Sequence, residues 1–229
     1  MKGVNLKSEK AYTASASFDW HAADRAWEVK ATPFYTYVDD YIDAVQWNGT
    51  SNAVRTTVLT DQFVALKYAN QSARLYGLDL SGHMPLGDSQ FGQFGLKGLL
   101  NYTKGENRDT GGDLYNIMPL NARLTLTQKF GGWDNQAEWV GVTSKDNVSN
   151  ARNEIKTPGY SLVNLRGSYS WSRARLDFGV ENLFDKMYYL PLGGVYVGQG
   201  TTMGINSIPW GVAIPGMGRS IYAGVNVKF

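Results

Sequence analysis

Apolar side chains recur at every second position over most of this chain, and a period of two commits the backbone to extended strands with two unlike faces. From 12 to 20, Tyr12, Ala14, Ala16, Phe18 and Trp20 alternate with Thr13, Ser15, Ser17 and Asp19. Ala122, Leu124, Leu126 and Phe130 alternate with Arg123, Thr125, Thr127 and Lys129, and the run leaves through Gly131-Gly132-Trp133-Asp134. Val163, Leu165, Tyr169 and Trp171 alternate with Asn164, Arg166, Ser168 and Ser170. After Ser172-Arg173 the pattern resumes with Ala174, Leu176, Phe178 and Val180 against Arg175, Asp177 and Glu181, which predicts a hairpin. Ile221, Ala223, Val225, Val227 and Phe229 keep the alternation up to the last residue.

The spacing predicts strands over 11–20, 27–38, 64–82, 92–103, 120–130, 135–145, 160–171, 174–185 and 218–229, with a weaker alternation of Val54, Thr56 and Val58 over 53–60. Short connections (21–26, 83–91, 131–134, 172–173) exchange with long ones (39–63, 104–119, 146–159, 186–217). An antiparallel meander with its long loops at one end and its tight turns at the other is the pattern of an outer-membrane β-barrel, whose tilted strands of about 10 residues cross the bilayer. Trp20, Trp27, Trp133, Trp139 and Trp171 are expected at or near the short turns, as an interfacial girdle, while Trp47 and Trp210 fall in long loops. Arg166, Arg175, Asp177, Glu181, Asn226 and Lys228 are too polar to crowd into a small dry core, so the apolar face is expected outside, with Leu176 near mid-bilayer. The inward charges Arg166, Arg175, Asp177 and Glu181 are expected to pair with one another or with a surface enclosed by the wall.

The composition agrees: 13% aromatic with 14 tyrosines and 7 tryptophans, 26 glycines and only 18% charged residues. A net charge of +2 gives no basis for nucleic-acid binding, and the absence of cysteine removes disulfides and thiolate chemistry. No run of about 18 apolar residues is present to form a membrane helix. The residues after Met1 are polar rather than an apolar export core.

Four segments carry a family resemblance. The terminal alternation ending at Phe229 resembles the strand that marks outer-membrane barrels for assembly. Asn5-Leu6-Lys7-Ser8-Glu9, Ala73-Arg74-Leu75-Tyr76-Gly77-Leu78-Asp79-Leu80 and Phe178-Gly179-Val180-Glu181-Asn182-Leu183-Phe184-Asp185-Lys186-Met187-Tyr188-Tyr189 resemble, in order and spacing, late strands of TonB-dependent receptors, with Ser8 where the family has proline. The resemblance implies an all-β transmembrane barrel of 22 strands, of which this chain would supply about the last nine or ten. The plug domain and the earlier strands would lie outside it. It further implies active transport of a scarce nutrient, with the outer-membrane lipid, the TonB complex and a metal ion or metal chelate as partners, no enzymatic activity and no cofactor. The alternative is an autonomous small barrel acting as a passive pore, an outer-membrane enzyme or an adhesin.

The segment Leu190-Pro191-Leu192-Gly193-Gly194 through Ile208-Pro209-Trp210-Gly211 to Arg219-Ser220 resembles the NosA/OprC branch of copper receptors. Thioethers suit Cu(I), which makes Met187, Met203 and Met217, with Met118, the candidate metal ligands in outward loops. His83 and Met84 are expected at a short turn. The Cys-x-x-x-Met and His-x-Met patterns of that branch do not occur here. His21 and His83 have no Ser or Asp partner at hydrolase spacing, and Gly198–Gly204 lacks the strand-to-helix setting of a phosphate loop. Asp39, Asp40 and Asp43 are read as a solvated strand end.

Overall fold

The computed structural model describes residues 5–46, 66–195 and 211–228. The weak strand at 53–60, Trp47, Trp210, Met203, the Gly198–Gly204 stretch and Phe229 lie outside the described residues. Ten strands form one antiparallel sheet: β1 (Lys10–Ser15), β2 (Phe18–His21), β3 (Glu28–Gln46), β4 (Leu66–Ser89), β5 (Gly92–Asn107), β6 (Asn121–Phe130), β7 (Trp133–Val142), β8 (Tyr160–Ser170), β9 (Ala174–Glu181) and β10 (Ser220–Val227). Neighbours in sequence are neighbours in space, in the order β1-β3-β4-β5-β6-β7-β8-β9-β10, with β2 continuing β1 along the edge of β3. Among the described residues the sheet is not closed, and β1 and β10 are its edges.

Register fixes the two faces. Leu80 pairs with Leu100, Leu100 with Ala122, Leu124 with Trp139, Leu165 with Val180 and Phe178 with Ala223, so each lies on one continuous face. Asp79, Asn101, Arg123, Glu138, Asn164, Arg166, Asp177 and Asn226 occupy the other. The apolar face is left open: Leu124, Leu126, Leu165, Ile221 and Val225 are all exposed. A large exposed apolar face is stable only against a nonaqueous medium or a partner. This is the sidedness the alternation predicts.

The strand bounds differ from expectation at three places. The strand expected over 11–20 is interrupted at 16–17, opposite Pro33, which has no N–H to give the ladder. The Ala16 N–H still donates to Pro33 O at 3.3 Å, and the register resumes without slipping. The connection expected over 83–91 is mostly strand. β4 continues to Ser89, a bulge between Pro85 and Gly87 absorbs the proline, and His83 and Met84 lie within the ladder rather than at a turn. Gly87 sits there at φ 121°. β3 likewise continues past Asp39-Asp40, where a second bulge with Asp40 at φ 56° re-aims the strand.

Two aromatic belts flank the apolar band. At the turn end, Trp133 meets Tyr169 edge-on at 4.8 Å, Tyr169 meets Trp171 at 4.6 Å, and Phe18 stacks near Trp20. Trp139, expected beside a turn, lies toward the loop end of β7, where its indole donates to Ser161 at 2.6 Å. The alternation could not distinguish the ends, because Trp139 keeps the same parity as Trp133. Leu176, expected at mid-bilayer, pairs with Tyr169 in the turn-end belt.

Candidate functional site

The long loops gather at one end and fold over the inner face. β3, β4 and β5 run beyond the point where β6 begins, and residues 108–120 bend back against this extension. Leu114 inserts beside Val38 and Ala73, with Tyr41, Leu75 and Ile117 around them, making a small dry core. A side chain at Gly105 would collide with Leu114 and Ile117, so glycine is what lets the loop lie flat on the wall.

The loop at 143–159 carries a short 3-10 turn, η1 (Asn150–Arg152), and is held by a buried ion pair. Lys145 Nζ meets Glu154 Oε1 at 2.5 Å, with side chains 3% and 7% exposed. Two buried charges are costly to desolvate unless their remaining hydrogen-bonding capacity is filled. Here Lys145 Nζ also donates to Pro191 O at 3.0 Å, and Glu154 accepts from the Asn116 N–H at 3.0 Å and the Ser149 N–H at 2.8 Å. One pair therefore ties three loops together. Arg152 reaches across to Asp43 at 3.3 Å and lies over the Tyr115 ring at 4.8 Å. Asp43 is thus a buried partner of a cation rather than a solvated strand end.

Between these loops and the wall lies an open cleft of about 510 Å³, lined in part by Asp43, Gln46, Gln71, Asn107, Asp113, Asn153 and Glu154. Gln46 donates to Asn150 O, and Asn107 donates to Gln71, which fixes those amides. Among the described residues the buried Asn153 Nδ2 meets no hydrogen-bond acceptor. Amides and carboxylates in such a recess suit a polar, hydrogen-bonding cargo.

Below the loops the inner wall is a ladder of paired charges. Arg166 donates to Glu181 at 2.9 Å and to Glu138 at 3.1 Å; Asn164 donates to Glu138 at 2.9 Å, and Arg175 pairs with Asp177 at 2.8 Å. The expected mutual pairing of Arg166, Arg175, Asp177 and Glu181 is present, and Asn164 lies on the polar face where the alternation puts it; Glu138 was missed, although its parity on 135–145 could have placed it here. The stretch from Val180 to Tyr189 has its own logic. Asn182 and Asp185 take left-handed φ of 51° and 53°, and Asn182 receives the Lys186 N–H while donating to Lys186 O and Met217 O. Asp185 receives the Arg219 N–H at 2.9 Å. These bonds pin both ends of the last long loop.

That pinning brings the segments carrying Met187 and Met217 together at Asn182, with the two methionines 64% and 67% exposed. Met118 is partly buried. Among the described residues no three His, Asp or Glu side chains converge as a metal site. Lys145, Arg152 and Glu154 were not singled out by sequence, since nothing in their spacing marks a contact reaching residues 43, 116 and 191.

Residues 2–183 match the family model for the TonB-dependent receptor-like β-barrel. The heme/hemopexin utilization protein C of Haemophilus influenzae is 28% identical over 233 residues, covering 89% of this chain and 30% of that protein. The ferric aerobactin receptor of Escherichia coli is 27% identical, covering 74% of this chain and 26% of that protein. The solved structure of the copper transporter OprC superposes with a TM-score of 0.80 at 23% identity, over 98% of this chain and 33% of that one. The chain thus spans about a third or less of the relatives it matches. With its sheet, its open apolar face and two aromatic belts, it belongs to the TonB-dependent receptor-like β-barrel family of the outer membrane.

Proposed function

We propose that this chain forms one arc of a larger outer-membrane barrel, the C-terminal part of a receptor that takes up a scarce metal, free or chelated, with energy delivered through TonB. The observation that carries the reading is the polar cleft roofed by cross-tied loops at the outer end of a charge-lined inner wall. A recess of amides and carboxylates at the mouth captures cargo, and a wall whose charges are already paired offers a polar surface for a plug without trapping it. The open sheet and the relatives' length both support a larger barrel.

For the cargo, copper ion is favoured over a ferric siderophore. The support is the exposure of Met187 and Met217 on neighbouring segments joined at Asn182, together with the likeness to OprC, a copper transporter. A second reading, an iron chelate or heme, draws on the names of the relatives above and on the cleft's hydrogen-bonding lining. The test is uptake by cells carrying the full-length receptor, comparing copper, heme and ferric siderophores. Saturable, energy-dependent copper uptake that falls at least tenfold in Met187→Leu/Met217→Leu is expected. Copper uptake unaffected by that change, alongside heme or siderophore uptake, would replace copper with the second reading.

A further inference from the structure

Three segments converge on the guanidinium of Arg152, the last residue of η1. Its Cζ lies over the Tyr115 ring at 4.8 Å and over the Tyr68 ring at 5.7 Å, both within the range at which a cation is drawn to an aromatic face. Its Nη2 donates to Asp43 Oδ1 at 3.3 Å. Tyr68 belongs to β4 and pairs with Ala44, the strand neighbour of Asp43 on β3, while Tyr115 comes from the loop at 108–120. Two rings and a carboxylate thus enclose one cation.

The enclosure matches the charge of a guanidinium better than its donors. A guanidinium fork grips a carboxylate best through two parallel N–H bonds, but here a single long contact joins Arg152 to Asp43. Among the described residues its buried Nε meets no acceptor. A buried donor left without an acceptor is a cost that a cation lacking N–H groups does not carry. Aromatic faces beside a carboxylate are the setting that holds an alkylated ammonium.

The enclosure is also held in place without Arg152. Asp43 Oδ1 accepts the Ala44 N–H at 2.7 Å, and Tyr68 is fixed by the β3–β4 ladder. Tyr115 lies between Leu114, which is buried in the small dry core, and Asn116, whose N–H donates to Glu154. The loop at 143–159 is tied firmly by Lys145 and Glu154 at 2.5 Å, whereas η1 is joined to β3 by two contacts of 3.3 Å, Gln46 to Asn150 O and Arg152 to Asp43.

We propose that Asp43, Tyr68 and Tyr115 form a binding site for an alkylated ammonium group, which displaces Arg152 and frees η1 from β3 at the edge of the cleft. Arg152 is the internal competitor for this site. Asp43 lines both the site and the cleft, so its occupant alters the cleft's rim whatever cargo the cleft takes.

The experiment uses the protein as it occurs in the membrane, purified in detergent, and titrates it with tetramethylammonium followed by ligand-observed NMR. Tert-butanol is the neutral probe of similar shape, and potassium chloride holds the ionic strength constant. Arg152→Met is expected to bind tetramethylammonium at least tenfold more tightly than the unaltered protein, and both should bind it at least tenfold more tightly than tert-butanol. Adding Asp43→Asn to Arg152→Met should lose at least tenfold. In the unaltered protein, saturating tetramethylammonium should speed amide exchange at 150–153 and leave it unchanged at Lys145 and Thr157. Heat-modifiable gel mobility reports whether the variants fold; should Arg152→Met not fold, Tyr68→Leu is read instead, for a loss of at least tenfold against the unaltered protein. Binding no tighter in folded Arg152→Met, no preference over tert-butanol, unchanged exchange at 150–153, or undiminished binding in Tyr68→Leu would overturn the proposal. No metal or chelate enters the readout, so failure here is distinct from failure of the transport reading.

Discussion

Lys145 and Glu154 sit nine positions apart in one loop, yet what they hold in place lies in two other loops. Removing one partner of a buried pair strands the other charge, at a cost on the order of 3 to 5 kcal/mol. Glu154→Gln is therefore expected to loosen residues 143–159 while leaving the strands intact. Hydrogen exchange localised to 108–120 and 143–159 checks this, and unchanged protection there would refute it. The double change Lys145→Met/Glu154→Leu should restore most of the order, because it removes both charges at once. Leu165 and Leu176 make a second contrast between single residues. Leu165 lies in the middle of β8, whereas Leu176 stands beside Tyr169 in the turn-end belt. A charge facing lipid costs about 2 to 4 kcal/mol at the midplane and about 0 to 1 near the interface. Folding titrations of the protein in bilayers should show Leu165→Arg much more damaging than Leu176→Arg, and equal losses would contradict this placement of the band.

At the scale of the element, much of the wall was legible because alternation is a local property. β6, β8, β9 and β10 fall within a few residues of the predicted spans, and their faces follow from parity alone. The errors have physical causes. Pro85 and Gly87 carry turn chemistry, but in a long antiparallel strand a bulge accommodates both, so β4 passes through them. Asp39-Asp40 resembles a polar terminus, yet the bulge there turns Asp43 toward Arg152, a contact 109 positions away that no window could reveal. The cleft and its ties were illegible for the same reason, since they exist only where loops from separate hairpins meet. The exposed Met187 and Met217 stand apart from both cases: the pinning by Asn182 is written in the stretch Glu181-Asn182-Leu183-Phe184-Asp185, but which distant segment it would adjoin is not.

For the whole molecule, the open sheet decides what residues 1–229 can do alone. Among the described residues the edges at β1 and β10 leave backbone groups without ladder partners, and each such group in hydrocarbon costs several kcal/mol. Expressed by itself in cells lacking the full receptor, this chain is expected to give no energy-dependent, saturable uptake of copper or ferric siderophore. Such uptake by the isolated chain would establish the small autonomous barrel instead.

The long ladder between β4 and β5 has a mechanical meaning as well. Its hydrogen bonds lie across the strands, so tension along the strands shears many of them together instead of peeling them one by one. Slippage of either strand by a single residue would turn its polar set, Asp79 or Asn101, toward hydrocarbon and its apolar set, Leu80 or Leu100, inward, which opposes sliding. A sheet so locked would hold its register under a load on its inner face, and any displacement would fall to whatever rests against it.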